Sequence, residues 1–216
     1  GFVVSGDQPE LQMIDDPLEA RVRGTRKAFP NLNVHFESMT DDLGRMIVRT
    51  DGAGDAGTWW LVDIASGEAV EIGWRYPGIK ADQIGPVKMS HYKAADGLEI
   101  PAVLTLPPHR DAKNLPLVVL PHGGPEARDY PQFDWLAQAF ASRGYAVLQP
   151  NFRGSKGYGN QYRNAGFGEW GRKMQTDLSD GLAALAAEGV IDPSRACIVG
   201  GSYGGYAALA GVTVQQ

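Results

Sequence analysis

Residues 196–204 read Ala-Cys-Ile-Val-Gly-Gly-Ser-Tyr-Gly, an apolar run that ends in G-x-S-x-G and passes into an alanine-rich stretch. Few short sequences constrain a backbone so tightly. A strand that reverses into a helix within a few residues, with one side chain left at the apex, crowds the positions two before and two after that apex. Glycine fits both. The pattern predicts a nucleophile elbow. Ser202 projects from strained backbone, and a helix starting near Tyr203 points its free N–H groups toward the reaction centre, where they favour developing negative charge. The competing reading is a glycine-rich turn that cradles phosphate. The turn itself does not fit G-x-G-x-x-G, and G-x-x-x-x-G-K-[ST] occurs nowhere in the chain.

Two further glycine-rich loops stand upstream, each after an apolar run. His122-Gly123-Gly124-Pro125 follows Leu115–Pro121, a run continuous enough for a strand buried on both faces. A loop in this position supplies one N–H of an oxyanion hole, and the residue after the nucleophile supplies the other. Gly124 and Tyr203 are therefore the candidate donors, each worth about 3 kcal/mol to a transition state. Gly123 allows close approach to a substrate carbonyl. His122 precedes the serine, so it is read as shaping the loop through a side-chain hydrogen bond rather than as a catalytic base. The second loop, Asn151–Gly159, reads as structural. Its Arg153 either braces the nucleophile region or touches substrate, and the residues leave both open.

The rest of the chain divides near residue 84. Before it, Asp16-Pro17 predicts a helix start, with Asp16 as the cap and Leu18 and Val22 on one face. Strand-like runs follow at 34–38, 45–49, 58–64 and 69–72, separated by polar turns, as in an antiparallel meander. A meander alone has too little core to stand. After residue 85, apolar runs at 87–93, 100–106, 115–121, 145–149 and 196–199 alternate with helical spacing at Phe133, Leu136 and Phe140 and at Leu178, Leu182 and Leu185. That rhythm predicts an α/β domain with a mostly parallel sheet and helices on both faces.

Composition excludes several classes. With 25 acidic and 20 basic residues the formal net charge is -5, which offers no reason to expect nucleic acid or an anionic membrane as a partner. The single cysteine, Cys197, rules out an intrachain disulfide framework, and its apolar neighbours predict that it is buried. No apolar stretch approaches bilayer length and no signal peptide is visible. The chain begins with Gly1, so its natural start is expected upstream. No metal-spaced ligand cluster occurs, and the expected chemistry needs no cofactor.

Taken in order, these blocks resemble the prolyl oligopeptidase family. They are His122-Gly123-Gly124-Pro125, Asn151-Phe152-Arg153-Gly154-Ser155 with Gly157-Tyr158-Gly159, Glu169-Trp170-Gly171 with Asp177 and Asp180, and Gly200-Gly201-Ser202-Tyr203-Gly204-Gly205-Tyr206. The order is similar to that of acylaminoacyl peptidases and bacterial dipeptidyl aminopeptidases. The resemblance implies an α/β-hydrolase fold over residues 85–216, incomplete at its C-terminal end. It further implies that residues 1–84 are the last antiparallel blade of a β-propeller and the linker leaving it. It implies a serine peptidase that hydrolyses short peptides through an acyl-enzyme on Ser202, with Gly124 and Tyr203 as the oxyanion hole. The alternatives are a carboxylesterase or lipase on the same fold, and a non-catalytic binding module. In this fold the triad acid and histidine follow the serine, whereas His35, His91, His109 and His122 all precede it. The triad partners are therefore expected outside these residues. The isolated piece is then expected to be nearly inactive, and either a homo-oligomer or a complementing C-terminal piece is expected as its partner.

Overall fold

The structure, a computed structural model, describes residues 1–213; residues 214–216, the end of the segment read as the hydrolase-like unit, lie outside the described residues. The chain forms two compact units, Gly1–Ile84 and a second beginning at Gly85.

In the first unit, β1 (Phe2–Ser5) and β2 (Pro9–Gln12) form an antiparallel hairpin. Sequence reasoning did not anticipate this hairpin. Phe2, Val3 and Val4 are exposed and show no alternation to read. Helix α1 (Asp16–Lys27) follows. Its cap is Asp15 rather than Asp16: the Asp15 carboxylate accepts from the Leu18 N–H at 3.1 Å. That oxygen satisfies one of the N–H groups that a helix start leaves without an intrahelical partner. Val22 is fully buried and joins Phe29, Leu43, Met46, Val48 and Val62 in one core, with Leu18 packed against it. Strands β3 (Leu32–Met39), β4 (Arg45–Gly52), β5 (Asp55–Asp63) and β6 (Glu68–Trp74) then run in sequence order as a four-stranded antiparallel sheet. Each strand pairs with the next through a short turn, the topology that consecutive strand signals dictate.

The second unit is mixed α/β. Its elements are β7 (Val87–Lys93), β8 (Glu99–Thr105), β9 (Leu115–Val119), α2 (Trp135–Ala141), β10 (Ala146–Pro150), α3 (Asn160–Asn164), α4 (Lys173–Ala187), β11 (Ile191–Ile198) and α5 (Tyr203–Thr213). The sheet order is β11-β9-β10-β8-β7. Strands β9, β10 and β11 are mutually parallel, while β8 pairs antiparallel with both β10 and β7. The sheet is therefore mixed rather than mostly parallel. A hairpin closed by the tight Asp96-Gly97 turn can only be antiparallel, and it contributes two of the five strands.

Alternation along β9 assigns the two faces. Leu115, Leu117 and Val119 pack with Leu178 and Leu185 of α4 and with Ala207 of α5. Val118 faces the other way and packs with Val147 and with Ala137 of α2. Helices therefore cover both faces. Cys197 corrects an expectation: it is exposed, not buried. It lies on β11, the edge strand of the sheet among the described residues, so an apolar sequence run there does not ensure two covered faces.

Candidate active site

Ser202 sits between β11 and α5 with φ at 57°, in the left-handed region that non-glycine residues rarely adopt. Its side chain is exposed at the apex. The flanking glycines show why the spacing is fixed. A Cβ on Gly200 would fall inside the Gly204 backbone, and one on Gly204 would fall inside the carbonyl oxygen of Pro121, at the end of the run containing β9. Gly201 has open space and carries no such demand. Two backbone segments therefore meet at the elbow with no room for a methyl group, and that contact aligns the loop after β9 with the nucleophile.

The loop after β9 brings Gly123 against the serine. A Cβ built on Gly123 would lie 3.3 Å from Ser202 Cβ and 3.7 Å from Ser202 Oγ. Gly124 follows with φ at 114° and is exposed. The loop is tied along its length to the segment after β10. His122 Nε2 lies 2.9 Å from Ser155 Oγ, and its Nδ1 lies 2.8 Å from Gly123 O. A carbonyl can only accept, so Nδ1 carries the proton and Nε2 accepts from the Ser155 hydroxyl. That hydroxyl also lies 2.7 Å from Phe152 O and has one proton to share. Burial pushes the His122 imidazole down to about 4, so it is neutral at ordinary pH. Further along, Lys156 N–H donates to Ala127 O, and Arg128 Nη2 donates to Tyr158 Oη at 2.8 Å with its guanidinium over that ring. Asp129 N–H donates to Asn151 Oδ1 at 2.7 Å, and Asn151 Nδ2 returns a bond to Asp129 O. Burial, followed by the nearby Asp134 charge, pushes the Asp129 carboxyl up to about 7.

Arg153 is buried beneath this arrangement. Its guanidinium donates to both carboxylate oxygens of Asp177 on α4, at 2.7 to 3.1 Å, and to both of Asp96 in the β7–β8 turn, at 2.9 and 3.1 Å. Its backbone N–H also donates to Asp177, at 3.0 Å. Burial raises the Asp177 carboxyl and the guanidinium opposes that shift, while Arg153 and Lys173 hold Asp96 well below the usual carboxylate range. One cation thus joins the segment after β10, α4 and the β7–β8 hairpin. The next residue back, Phe152, is fully buried and carries the link to the elbow. Its ring stacks on His122 at 4.5 Å and packs against Tyr203 at 5.3 Å. Tyr203 is buried and also meets Trp170 at 5.0 Å and Tyr206 at 5.6 Å.

The fold therefore brings Ser202, Tyr203, Gly123, Gly124 and His122 together, and sets Arg153 one layer below. Sequence reasoning did not assign roles to Ser155, Asp177, Asp96 or Tyr158. The signal for Asp177 was a carboxylate at helical spacing from Met174 and Gly181, on the face of α4 that also buries Leu178 and Leu185. Among the described residues no side chain hydrogen-bonds to Ser202 Oγ, and no group of three or more His, Cys, Asp or Glu side chains is arranged to hold a metal. His35 lies in the first unit, its Nε2 2.8 Å from Asp51 Oδ2.

Comparison with known proteins bears on the same region. Residues 131–216 match the Prolyl oligopeptidase family. The chain is 35% identical over 211 residues to dipeptidyl aminopeptidase BIII of Pseudoxanthomonas mexicana, covering 94% of this chain and 30% of that protein. Among solved structures it resembles a puromycin-hydrolyzing peptidase of Mycobacterium tuberculosis, with a TM-score of 0.70 and 27% identity over 80% of this chain and 28% of that one. It also resembles the acylaminoacyl peptidase of Pyrococcus horikoshii, with a TM-score of 0.65 and 25% identity over 84% of this chain and 29% of that one. The chain spans less than a third of the length of each of these relatives. The family match spans the residues that carry the elbow, and the relative and solved structures reported are peptidases, so the similarity of this chain is to the prolyl oligopeptidase family.

Proposed function

We propose that the protein is a serine peptidase that cleaves short peptides, in the manner of dipeptidyl aminopeptidases or acylaminoacyl peptidases, with Ser202 as the nucleophile. The observation that carries this reading is the strained backbone of Ser202 at the head of α5 with Gly123 in contact range of its side chain. The peptide carbonyl carbon is attacked by Ser202 Oγ, and its oxygen takes up negative charge facing the N–H groups of Gly124 and Tyr203. A general base takes the Ser202 proton and hands it to the leaving amine as the tetrahedral adduct collapses to an acyl-enzyme, which water then hydrolyses, returning a proton to Ser202. The general base and its carboxylate partner follow the nucleophile in this fold, and this reading looks for them beyond the described residues. His122, neutral and engaged by Ser155, orients the oxyanion loop rather than taking the serine proton.

In the same reading the second unit is the α/β-hydrolase part. The four-stranded sheet of the first unit is a blade of a β-propeller, supported by its meander order and its 7- to 9-residue strands. Partners in this reading are a short peptide substrate and further protein, either a second copy or a complementing segment, with no nucleic acid or membrane.

The test is a fluorophosphonate probe applied to the intact protein, with peptide mapping of the label. Rapid labelling at Ser202, abolished by Ser202→Ala, is expected. A protein that cleaves peptides with Ser202 unlabelled refutes the assignment.

A further inference from the structure

The peptide that joins Gly123 to Gly124 has glycine on both sides. Turning such a peptide over needs opposite changes in ψ of the first residue and φ of the second, and glycine takes φ of either sign at little cost. Gly124 stands at φ 114°. The backbone itself therefore offers little resistance to a flip, yet this peptide carries one of the two proposed oxyanion donors. The peptide is trans, so its C=O and N–H point in opposite directions. In one orientation the Gly124 N–H faces the substrate carbonyl, as an oxyanion hole requires. In the other, the Gly123 carbonyl faces the developing negative charge with the negative end of its dipole.

One side chain decides between them. The Gly123 carbonyl accepts from His122 Nδ1 at 2.8 Å, and among the described residues this is the one hydrogen bond on either group of the peptide. Two contacts hold the donating ring. Phe152, fully buried, stacks on it at 4.5 Å with the planes 21° apart, which fixes its face. Ser155, also fully buried, places its Oγ 2.9 Å from Nε2. Phe152 O already accepts the Ser155 N–H at 3.0 Å, which leaves the hydroxyl proton for Nε2. An Nε2 that accepts keeps the proton of the neutral ring on Nδ1. In the other tautomer a lone pair on Nδ1 would meet the Gly123 oxygen, and two acceptors in contact would drive the peptide over.

We propose that His122 is a positioning residue that locks the Gly123–Gly124 peptide with the Gly124 N–H toward the substrate, and that Ser155 sets the lock by fixing the tautomer of the ring. The proposal rests on the reading of Ser202 as the nucleophile and Gly124 as an oxyanion donor. What His122 contributes is then one donated proton at Nδ1, and an uncharged side chain that donates from the same place does the same work.

The experiment uses the intact protein. Asn and Asp have the same shape, but Asn keeps an N–H donor near the place of Nδ1 where an ionised Asp only accepts. His122→Asp is expected to lower kcat on a peptide substrate about a hundredfold with KM within about threefold of wild type, the scale of losing one oxyanion donor. His122→Asn is expected to recover about tenfold or more of that loss. A peptide aldehyde, which mimics the tetrahedral adduct, should lose affinity across the two variants in parallel with kcat. Nitrogen NMR of ring-labelled histidine tests the lock without any loss of fold: the wild-type His122 signals, assigned by their absence in His122→Asn, should show Nδ1 protonated and Nε2 unprotonated. An Nε2-protonated neutral ring in the wild type, or an Asp variant as active as the Asn variant, overturns the lock. Fluorophosphonate labelling separates the two readings. Labelled Ser202 with either of those results refutes the lock alone, whereas a peptide-cleaving wild type with Ser202 unlabelled refutes the serine-peptidase reading and takes the lock with it.

Discussion

Gly204→Ala isolates the contact that sets the elbow. Gly204 is the second residue of α5, where alanine gains up to about 1 kcal/mol of helix propensity over glycine. On exposed helix the substitution would stabilise. Here the new Cβ falls inside Pro121 O and lies 3.2 Å from Pro121 C and 3.4 Å from His122 O. The obstructing atoms are backbone, so no rotamer change relieves them. Overpacking of this kind costs about 1–3 kcal/mol, and an immovable carbonyl puts the site at the upper end, so a net loss of about 2 kcal/mol remains after the helix gain. With a urea slope of about 1–3 kcal/mol per molar, the unfolding midpoint drops by roughly 1 M. Relaxation has to move Pro121 and His122, and with them Gly124, away from Ser202. Fluorophosphonate labelling of Ser202 is therefore expected to slow by about tenfold or more even in conditions where the variant is fully folded. Gly201→Ala is the internal control, because nothing lies within 4 Å of its Cβ, and its unfolding free energy should stay within about 0.5 kcal/mol of wild type. If Gly204→Ala matches wild type in both midpoint and labelling rate, or if Gly201→Ala is the more damaging of the two, backbone contact does not dictate the glycine.

Arg153→Met leaves Asp177 buried without its cation and is expected to cost about 3–5 kcal/mol by chemical denaturation, far more than loss of an exposed ion pair such as Arg45 with Asp63; a cost below about 1 kcal/mol refutes the brace. Asp129 has a folded pKa raised to about 7, above an unfolded value near 3.9, so the folded state holds the extra proton between them. Stability is expected to fall as pH rises from about 4 to about 7, and Asp129→Asn should flatten that slope in a pH series of denaturation midpoints. His122 has the opposite sign: its pKa is depressed to about 4 from an unfolded value near 6.5. Its contribution is present above pH 6.5 and lost as pH falls toward 4, and His122→Asn should remove that acid-side loss. Ser155→Ala removes the hydroxyl that fixes the His122 ring and is expected to lower kcat about tenfold with KM little changed and partial rescue by Ser155→Thr; a change in KM alone would argue against a role in aligning the oxyanion loop.

The local parts of this protein were legible in the sequence because local rules govern them. A buried strand running into G-x-S-x-G permits few backbone paths, and the left-handed φ of Ser202 follows from it. The strand–helix rhythm after residue 85 announced an α/β unit. The four strand signals before it announced a meander, with bounds off by a few residues, because strand ends depend on ladder partners that a single run does not reveal. Neighbours distant in sequence decided the rest. Cys197 has the composition of a core residue and is exposed, since edge or centre is a property of the sheet and not of the run. Arg153 left two roles open on paper, and only the fold reveals its ion pairs with residues 24 and 57 positions away. His122 and Ser155 are 33 residues apart and meet only because β9 and β10 are parallel neighbours whose C-terminal loops emerge on the same side. Sequence periodicity records which face of an element is apolar. Which polar side chains converge at the ends of those elements is set by strand order and crossover connections, and that convergence builds the candidate site.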